Sequence, residues 1–266
     1  MGAFISIITV SLNAAETIED TIASVFFQDA DFVIEHLIVD GGSRDATRQI
    51  IDRWASRTSR IRKIYEADGG IFDAMNKGLR AATGDYVLFL NADDFLVDHK
   101  VIAAAMGAYQ AKDSGNPELV VGDVTMGNLG CRGFWRHRRV PRFIGRIRGI
   151  GIFPVHQGQF SQRLLLEKVG GFNSRLRLAS DVVQYYELES KFRPSLKVVC
   201  LDISFMRSGG AANSGLGAMC IGTAEIYREL RRSHSIARCL FMVLVKTFQS
   251  LTELRYGLCR QQRWFL

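Results

Sequence analysis

The sequence predicts an α/β fold in which an open, twisted, mainly parallel sheet is flanked by helices and followed by a helical appendage. In the first half of the chain, short runs of apolar and β-branched residues alternate with segments of helical periodicity, which is typical of βαβ units. Polar clusters directly follow several of these runs. The 266 residues, 47% of them hydrophobic and 23% charged, suffice for one α/β domain with a substantial core.

The elements of the first half follow from these periodicities. We predict strands at residues 5–11, 36–40, 61–66 and 86–91, separated by helices at residues 17–27, 46–57 and 72–82. Ser43 or Asp45 is expected to cap the second helix, because both residue types accept hydrogen bonds from the first turn of a helix. Ligands bind beyond the carboxyl ends of strands in open parallel sheets, so the polar residues that follow the strands form the candidate site.

The second half is less regular. It contains a predicted strand at 119–122, a Gly-rich and Arg-rich region, a helix at 162–169, a helix at 181–191 and a strand at 197–201. Gly209-Gly210 then predicts a loop, and one or two helices follow. We interpret residues 1–217 as one domain with halves 1–122 and 123–217, and residues 218–266 as a basic amphipathic helical tail.

Charge is unevenly distributed along the chain. The formal net charge is +7, which indicates an anionic partner without naming it. No acidic residue occurs from Val124 to Leu166, although this window contains many arginines: Arg132, Arg136, Arg138, Arg139, Arg142, Arg146, Arg148 and Arg163. A second basic group lies near the C-terminal end: Arg228, Arg231, Arg232, Arg238, Lys246, Arg255, Arg260 and Arg263.

These basic regions admit several interpretations. Arginines interleaved with aromatic residues superficially suit nucleic acid, but they equally suit anionic lipid headgroups or the phosphates of a lipid-linked acceptor. The tail is either an interfacial helix or a helix packed on the domain with a solvated basic face. Because both basic regions would cooperate at a membrane, we favour an anionic membrane surface and expect no nucleic-acid partner.

The cysteines and apolar segments bear on location. Five scattered cysteines without a CxxC pair predict neither a disulfide framework nor a zinc site, so a reducing compartment is favoured. The first residues read as a strand rather than a signal peptide, and no run of about 20 apolar residues predicts a membrane span. We therefore expect a cytoplasmic protein that is peripheral on the inner face of the cytoplasmic membrane.

The acidic pair Asp93-Asp94 follows an apolar strand, so we expect both carboxylates to emerge where the strand meets solvent. Hard oxygen ligands at such a place suit Mg²⁺ or Mn²⁺, which can bridge to a diphosphate. The alternative is a turn or a helix cap, in which Asp is common.

Asp40 also ends a strand and precedes Gly41-Gly42-Ser43. Its carboxylate can accept a hydrogen bond from a base or ribose, and the glycines allow close approach of a ligand; helix capping is the alternative. The chain contains neither a GxGxxG motif after the first strand nor a GxxxxGK[ST] motif, which argues against dinucleotide and P-loop enzymes.

Together these segments resemble glycosyltransferase family 2, and most closely its members that assemble bacterial polysaccharides. The resemblance rests on residues 9–13 (TVSLN), 40–47 (DGGSRDAT), 66–78 (EADGGIFDAMNKG) and 84–94 (GDYVLFLNADD), which occur in the family's order and approximate spacing. It is good over about the first 100 residues and thinner beyond, where His156-Gln157, Gly170-Gly171-Phe172 and Ser180-Asp181 resemble later motifs.

The resemblance implies a GT-A type nucleotide-binding fold and a role for each matched residue. The expected donor-binding residues are Thr9, Asn13, Asp40, Asp68, Asn76 and Asp93. Asp40 would contact the nucleotide base, with Thr9 and Asn13 in the same pocket. Asp93 and Asp94 stand where the family has its DxD metal motif, written here Asn-Ala-Asp-Asp, and we favour Asp94 as the direct ligand.

The resemblance also implies a catalytic base. Transfer without a covalent intermediate needs a group that takes the proton of the acceptor hydroxyl. Asp181 is the candidate, at the predicted start of a helix, although many relatives carry an acidic pair there and this chain has a single carboxylate; helix capping by Asp181 is the alternative. His156 and Gln157 are candidate contacts to acceptor or donor, and a structural role for His156 stays open.

The resulting hypothesis is an inverting transferase that passes one sugar from a nucleoside diphosphate sugar to a hydroxyl of a growing bacterial glycan. We expect this acceptor to be linked to a lipid. A nucleotidyltransferase with a related core is one alternative, although Asn13-Ala14-Ala15-Glu16 is not the Gly-rich basic loop it would need. A non-catalytic nucleic-acid-binding module is the other, and it leaves the ordered acidic motifs unexplained.

Overall fold

The computed structural model describes residues 4–30, 33–107, 116–127, 135–138, 140, 153–208, 216–232, 235–236 and 239–245. The strands are β1 (Phe4–Ser11), β2 (Val33–Asp40), β3 (Ile61–Tyr65), β4 (Tyr86–Phe89), β5 (Phe95–Leu96), β6 (Leu119–Gly127), β7 (Trp135–Arg138), β8 (Gln159–Gln162) and β9 (Leu196–Arg207). The helices are α1 (Ile18–Phe26), α2 (Thr47–Ala55), α3 (Ile71–Ala81), α4 (Val101–Gly107), α5 (Arg163–Val169), α6 (Ser180–Glu187) and α7 (Leu216–Leu230).

The first half of the sheet is parallel, as the alternation of strands and helices predicts. β1 pairs in parallel with β2 on one side and with β4 on the other, and β2 pairs in parallel with β3. The carboxyl ends of these strands therefore lie along one edge of the sheet. Helix α3 packs against β1 and β2 on one face, and Ile18, Ile38 and Trp54 belong to a cluster on α1, β2 and α2.

The second half extends the same sheet with mixed pairing. Within the described residues the strand order is β3-β2-β1-β4-β8-β6-β9-β5, and β7 pairs with β6. β8 is antiparallel to both β4 and β6, whereas β6 and β9 are parallel. Because β8 lies directly beside β4, the residues just before β8 come next to the residues that follow β4.

Most boundaries agree with the sequence prediction, and the exceptions have clear physical reasons. Asp45 accepts a hydrogen bond at 3.0 Å from the backbone N–H of Thr47, the first residue of α2. Asp45 rather than Ser43 therefore provides the side-chain acceptor at this helix start. The predicted helix at 181–191 continues beyond Glu187 as a π-helical turn at Leu188–Phe192. β5, β7 and β8 were not predicted, because two- and four-residue strands are too short to show a period of two, and the seven-residue helix α4 was not predicted either.

A buried carboxylate joins the parallel strands at the end opposite the candidate site. Glu35 accepts hydrogen bonds from Ser6 Oγ at 2.5 Å, from the backbone N–H of Thr83 at 2.6 Å and from Arg62 Nη1 at 2.8 Å. Burial alone would raise the pKa of Glu35, but these donors outweigh it and lower the pKa. Glu35 therefore fixes β1 and β2 against the turn that precedes β4.

The C-terminal helices pack on the domain. Ile226 and Leu230 of α7, together with Cys239 and Met242 of the helical residues 239–245, belong to the same buried cluster as residues of β1, α3 and α6. These inward-facing residues are therefore packed on the domain, which is one of the two interpretations given above for the tail. No helix within the described ranges is long and apolar enough to cross a membrane. The residues beyond 245, the loop at 209–215 and most of the Arg-rich region lie outside the described part of the chain.

Candidate active site

Asp94 is the centre of a polar network just beyond β4. Its backbone carbonyl accepts from Thr21 Oγ1 at 2.6 Å, its Oδ2 accepts from Gln157 Nε2 at 2.9 Å, and its Oδ1 accepts from the backbone N–H of Arg207 at 3.2 Å. The residue is only 2% exposed. The sequence analysis placed this carboxylate in solvent; it is instead enclosed, because residues before β8 and at the end of β9 cover it.

Enclosure changes the acidity of the pair. Burial, and then the neighbouring Asp93 charge, raise the pKa of Asp94 to about 8. Burial also raises the pKa of Asp93, although the nearby Arg207 cation acts in the opposite direction. The pKa of both neighbouring carboxyl groups is therefore raised. A cation bound beside them would stabilise their ionised forms.

The acidic pair opens into a cleft that encloses about 750 Å³ of space continuous with solvent. The cleft is bounded on one side by residues that follow β4 and begin α3, and on the other by residues from the second half of the chain. Its lining consists of Ile71, Phe72, Asn91, Asp93, Asp94, Arg138, Val155, His156, Gln157, Arg177, Leu178, Asp181, Met206 and Arg207. Six of the polar residues that the sequence analysis or its motifs singled out therefore share one cavity with three arginines.

Asp181 lines the same cleft as the acidic pair and lies in the first turn of α6, which begins at Ser180. Its Oδ2 lies 3.3 Å from His156 Nδ1, within reach of a hydrogen bond when Nδ1 carries the proton. His156 begins a 3₁₀ turn that leads directly into β8. A carboxylate oriented by an imidazole at the wall of a cleft has the arrangement of a general base.

The oxygen donors near Asp94 fit a divalent cation. Asn91 Oδ1 and Gln157 Oε1 are buried and have no hydrogen-bond partner among the residues that the structure describes. Together with two carboxylates they form a set of hard oxygen donors, the chemistry that Mg²⁺ and Mn²⁺ prefer. No group of three or more His, Cys, Asp or Glu side chains converges within the described ranges, so the donor set depends on these amides as well as the acids.

Asp40 occupies a second polar centre, at the end of β2. Its carboxylate is fully buried and accepts from Arg48 Nε at 2.6 Å and from the backbone N–H of Ser43 at 3.0 Å; Ser43 Oγ is a further close partner. Burial would raise its pKa, but these donors prevail and hold the pKa below the usual range. A ligand that contacts this carboxylate must replace one of the donors.

Asn13 and Asp68 both lie beside the Asp40 loop. Asn13 adopts a left-handed conformation with φ of 50°, and its Oδ1 accepts from the backbone N–H of Arg44 at 2.9 Å. The carboxylate of Asp68 covers Gly41: a Cβ at position 41 would lie 2.0 Å from Asp68 Oδ2, so a larger residue there would force Asp68 to move. The structure thus brings Asn13, Asp40 and Asp68 together around the loop that follows β2, and none of the three is among the residues that line the cleft.

Two predicted donor residues are placed differently from the expectation. Thr9 is fully buried within β1, and its hydroxyl is 2.9 Å from His36 Nε2, so its side chain faces the core and not the pocket. The side chain of Asn76 hydrogen-bonds to the backbone of Phe172: Nδ2 donates to the carbonyl and Oδ1 accepts from the N–H, both at 2.8 Å. Side-chain direction along a strand or helix, which motif spacing does not report, accounts for both differences.

The sequence analysis did not single out Arg177 or Arg207, although both line the cleft. Arg207 is held in place by an ion pair with Asp20 and lies over the ring of Phe95, 5.7 Å from its centroid. Arg177 precedes α6 by three residues. The predicted strand ended at residue 201, whereas β9 extends to Arg207, so Arg207 was not recognised as a residue at a strand end.

The comparison with protein families decides the assignment of this site. A family model described as "Glycosyl transferase family 2" matches residues 6–173, which include the acidic pair, His156 and Gln157. The chain belongs to glycosyltransferase family 2. The transferase is 31% identical over 250 residues to a "PGL/p-HBAD biosynthesis glycosyltransferase" of Mycobacterium tuberculosis, a match that covers 91% of this chain and 89% of the relative.

Solved structures show the same fold as this transferase. Staphylococcus aureus TarS, residues 1–349, in complex with UDP-GlcNAc has a TM-score of 0.61 at 18% identity, over 95% of this chain and 73% of that one. The mannosyltransferase PcManGT from Pyrobaculum calidifontis, in complex with GDP-Man and Mn²⁺, has a TM-score of 0.63 at 17% identity, over 95% and 71%. The GT-A fold expected from the sequence is therefore confirmed.

Proposed function

We propose that this transferase moves one sugar, with inversion, from a nucleoside diphosphate sugar to a hydroxyl of a glycan or lipid-linked glycan acceptor. The observation that carries the proposal is the placement of two groups in one cleft. The acidic pair Asp93-Asp94, where a diphosphate and its metal can bind, lines the same cleft as the Asp181–His156 pair.

Asp94 and Asp93 would hold Mg²⁺ or Mn²⁺, with the amide oxygens of Asn91 and Gln157 available beside them. Once bound, the ion would neutralise charge on the departing nucleoside diphosphate. PcManGT, the Mn²⁺ complex with the same fold, supports a divalent ion for this chain. Gln157 Nε2 orients the Asp94 carboxylate and thereby keeps the pair aimed at the cleft.

Asp181 is the proposed catalytic base. It takes the proton of the acceptor hydroxyl while the acceptor oxygen forms a bond to the anomeric carbon and the bond to the diphosphate breaks on the opposite face. Attack opposite the leaving group inverts the anomeric configuration. His156 supports this role because its Nδ1 lies 3.3 Å from Asp181 Oδ2 and restrains the orientation of the carboxylate.

The remaining charges of the cleft suit the departing group. Arg177 and Arg207 face the same space as the acidic pair, and guanidinium groups bind phosphate oxygens in pairs of hydrogen bonds. The loops around Asp40, Asn13 and Asp68 would receive the nucleoside at the other end of the site. TarS with UDP-GlcNAc and PcManGT with GDP-Man support a nucleotide-sugar donor for this transferase.

The location that we propose is the inner face of the cytoplasmic membrane. Four large apolar side chains between Ile236 and Leu244 are exposed by 49% or more: Ile236 (52%), Leu240 (49%), Phe241 (50%) and Leu244 (67%). Ile236, Leu240 and Leu244 are spaced by four residues and so share one helix face, which the exposed Arg231 and Arg232 precede. An apolar face next to basic residues suits an anionic lipid surface and a lipid-linked acceptor.

The experiment that tests the proposed function is a panel of nucleotide sugars, each incubated with the protein and Mn²⁺ or Mg²⁺. Release of free nucleoside diphosphate in slow donor hydrolysis identifies the donor without knowledge of the acceptor. We expect release from one donor class only, and its loss in excess chelator. If no nucleotide sugar is hydrolysed or bound under these conditions, the proposed reaction is wrong.

A further inference from the structure

Glu225 on α7 is a buried carboxylate that lies outside the lining of the cleft. It is 9% exposed and accepts hydrogen bonds from three consecutive backbone N–H groups. Its Oε1 accepts from Arg177 at 2.8 Å, and its Oε2 accepts from Leu178 at 3.0 Å and from Ala179 at 3.1 Å. One side chain therefore fixes the whole backbone segment 177–179.

This segment carries the acceptor side of the cleft. Arg177 and Leu178 line the cavity, and Asp181 follows two residues after Ala179 in the first turn of α6. Hydrogen bonds to an ionised acceptor are roughly twice as strong as those between neutral groups, so the segment is held firmly. The negative charge of Glu225 also lies close to the N-terminal end of α6, where the helix dipole favours it.

The helix that carries Glu225 is itself fixed. The next residue, Ile226, is 2% exposed, and Leu230 is 3% exposed; both pack in the main core cluster. The carboxylate therefore projects from a rigid support, and its position sets the position of the 177–179 backbone.

We propose that Glu225 is a positioning residue for transfer: it holds segment 177–179 so that Asp181 meets the acceptor hydroxyl and Arg177 meets the diphosphate. The inference rests on the proposed function, because it takes Asp181 to be the base. It also gives α7 a role in catalysis that is separate from any contact with a membrane. Small displacements of reacting groups are costly, on the order of 100-fold in rate for about 1 Å.

The test compares Glu225→Ala with Glu229→Ala in the full chain. Glu229 lies one turn further along α7 and pairs with Arg232 at 2.7 Å, so its replacement removes a carboxylate from the same helix without touching the segment. We expect faster amide hydrogen exchange at residues 177–179 in Glu225→Ala, by about tenfold or more, and unchanged exchange there in Glu229→Ala.

Kinetics then separate positioning from general damage. In Glu225→Ala the turnover number for transfer should fall about 10- to 100-fold, while the affinity for the nucleoside diphosphate stays within about twofold of the wild type. Glu225→Gln keeps the packing and one acceptor oxygen, so it should lie between the wild type and Glu225→Ala in both exchange and turnover.

Unchanged exchange at 177–179 in both Glu225 variants would overturn the anchoring role. Fast exchange with wild-type turnover would overturn the link to catalysis. Failure of the proposed function would look different: the wild type itself would show no transfer, whereas the exchange difference between Glu225→Ala and Glu229→Ala would persist.

Discussion

Asn76 and Phe172 are joined by two hydrogen bonds that connect the halves of the chain. Asn76 Oδ1 accepts from the backbone N–H of Phe172, and Asn76 Nδ2 donates to its carbonyl, both at 2.8 Å. The ring of Phe172 stacks on Phe72 with centroids 5.6 Å apart and meets Phe89 edge-on at 4.9 Å. The amide of Asn76 thus fixes the turn that leads from α5 towards α6.

This pair predicts a measurable coupling with Gly171. Gly171 has φ of 72°, and a Cβ there would lie 2.4 Å from Asn76 Oδ1. Asn76→Ala should lower the free energy of unfolding by about 2 kcal/mol, the loss of two partly buried hydrogen bonds. Gly171→Ala should be destabilising by about 1–3 kcal/mol in the wild type.

Because Asn76→Ala removes the clashing atom, Gly171→Ala should cost less in that background. Urea denaturation of the two single variants and the double variant measures the coupling. Strictly additive losses would show that the close approach of Asn76 to position 171 has no energetic consequence.

The buried His36 predicts a dependence of stability on pH. Burial lowers its pKa to about 3 in the folded protein, from about 6.5 when exposed, so below pH 6.5 the unfolded chain binds a proton that the folded protein excludes. Stability from this group is present above pH 6.5 and is lost as pH falls towards 3, with a limiting slope of about 1.4 kcal/mol per pH unit.

His36→Gln should flatten the stability profile between pH 6.5 and pH 4.5, because Gln has no proton to gain. Denaturant unfolding at several pH values checks this, with His99→Gln as the control, since the side chain of His99 is 61% exposed. Equal pH slopes for the wild type and His36→Gln would refute the assignment.

The exposed face of residues 236–244 predicts binding to anionic vesicles. Cys239 and Met242 of the same segment are in the core, so deletion of the segment would remove packing as well as surface. Leu240→Ser with Leu244→Ser leaves those core residues in place. We expect this variant to lose most of its co-sedimentation with anionic vesicles at low salt, because both apolar area and nearby charge contribute.

Leu164→Ser is the control, since Leu164 is an apolar side chain on a different helix, α5, and is 59% exposed. Wild-type protein that remains in the supernatant with both anionic and neutral vesicles would contradict the proposed location. Equal loss in the Leu164 variant would place the contact elsewhere.

The sequence sufficed for the parallel half of the sheet because its apolar runs and helical periods are long. It also pointed to Asp94 and Asp181, which line the cleft, because both residues belong to motifs that resemble those of the family. It could not reveal that Thr9 faces the core or that Asn76 serves the Phe172 backbone, because motif spacing does not give side-chain direction. Arg177, Arg207 and Glu225 went unrecognised, since their roles depend on the packing of β9 and α7 against distant segments.

The catalytic assignment of Asp181 predicts a selective kinetic loss. Asp181→Asn should lower turnover by about 100-fold or more while donor affinity hardly changes, because the carboxylate acts on the proton only in the transition state. Ala179, not Asp181, is the residue that precedes the first turn of α6, and the amide has the size of the carboxylate, so folding is expected to be normal. Steady-state kinetics on an identified donor and acceptor check this, and near-normal turnover would assign the base to another residue.

Metal-assisted binding of the donor at Asp94 is tested by calorimetric titration of the nucleoside diphosphate with and without Mn²⁺, in the wild type and in Asp94→Asn. Asparagine keeps the shape of the Asp94 side chain but cannot ionise, and burial already raises the pKa of Asp94 to about 8, so the variant should fold with stability within about 1 kcal/mol of the wild type. We expect Mn²⁺ to strengthen binding of the nucleoside diphosphate at least about tenfold in the wild type and to have no effect in Asp94→Asn. Equal, Mn²⁺-independent binding in both proteins would contradict a metal-assisted transferase centred on Asp94.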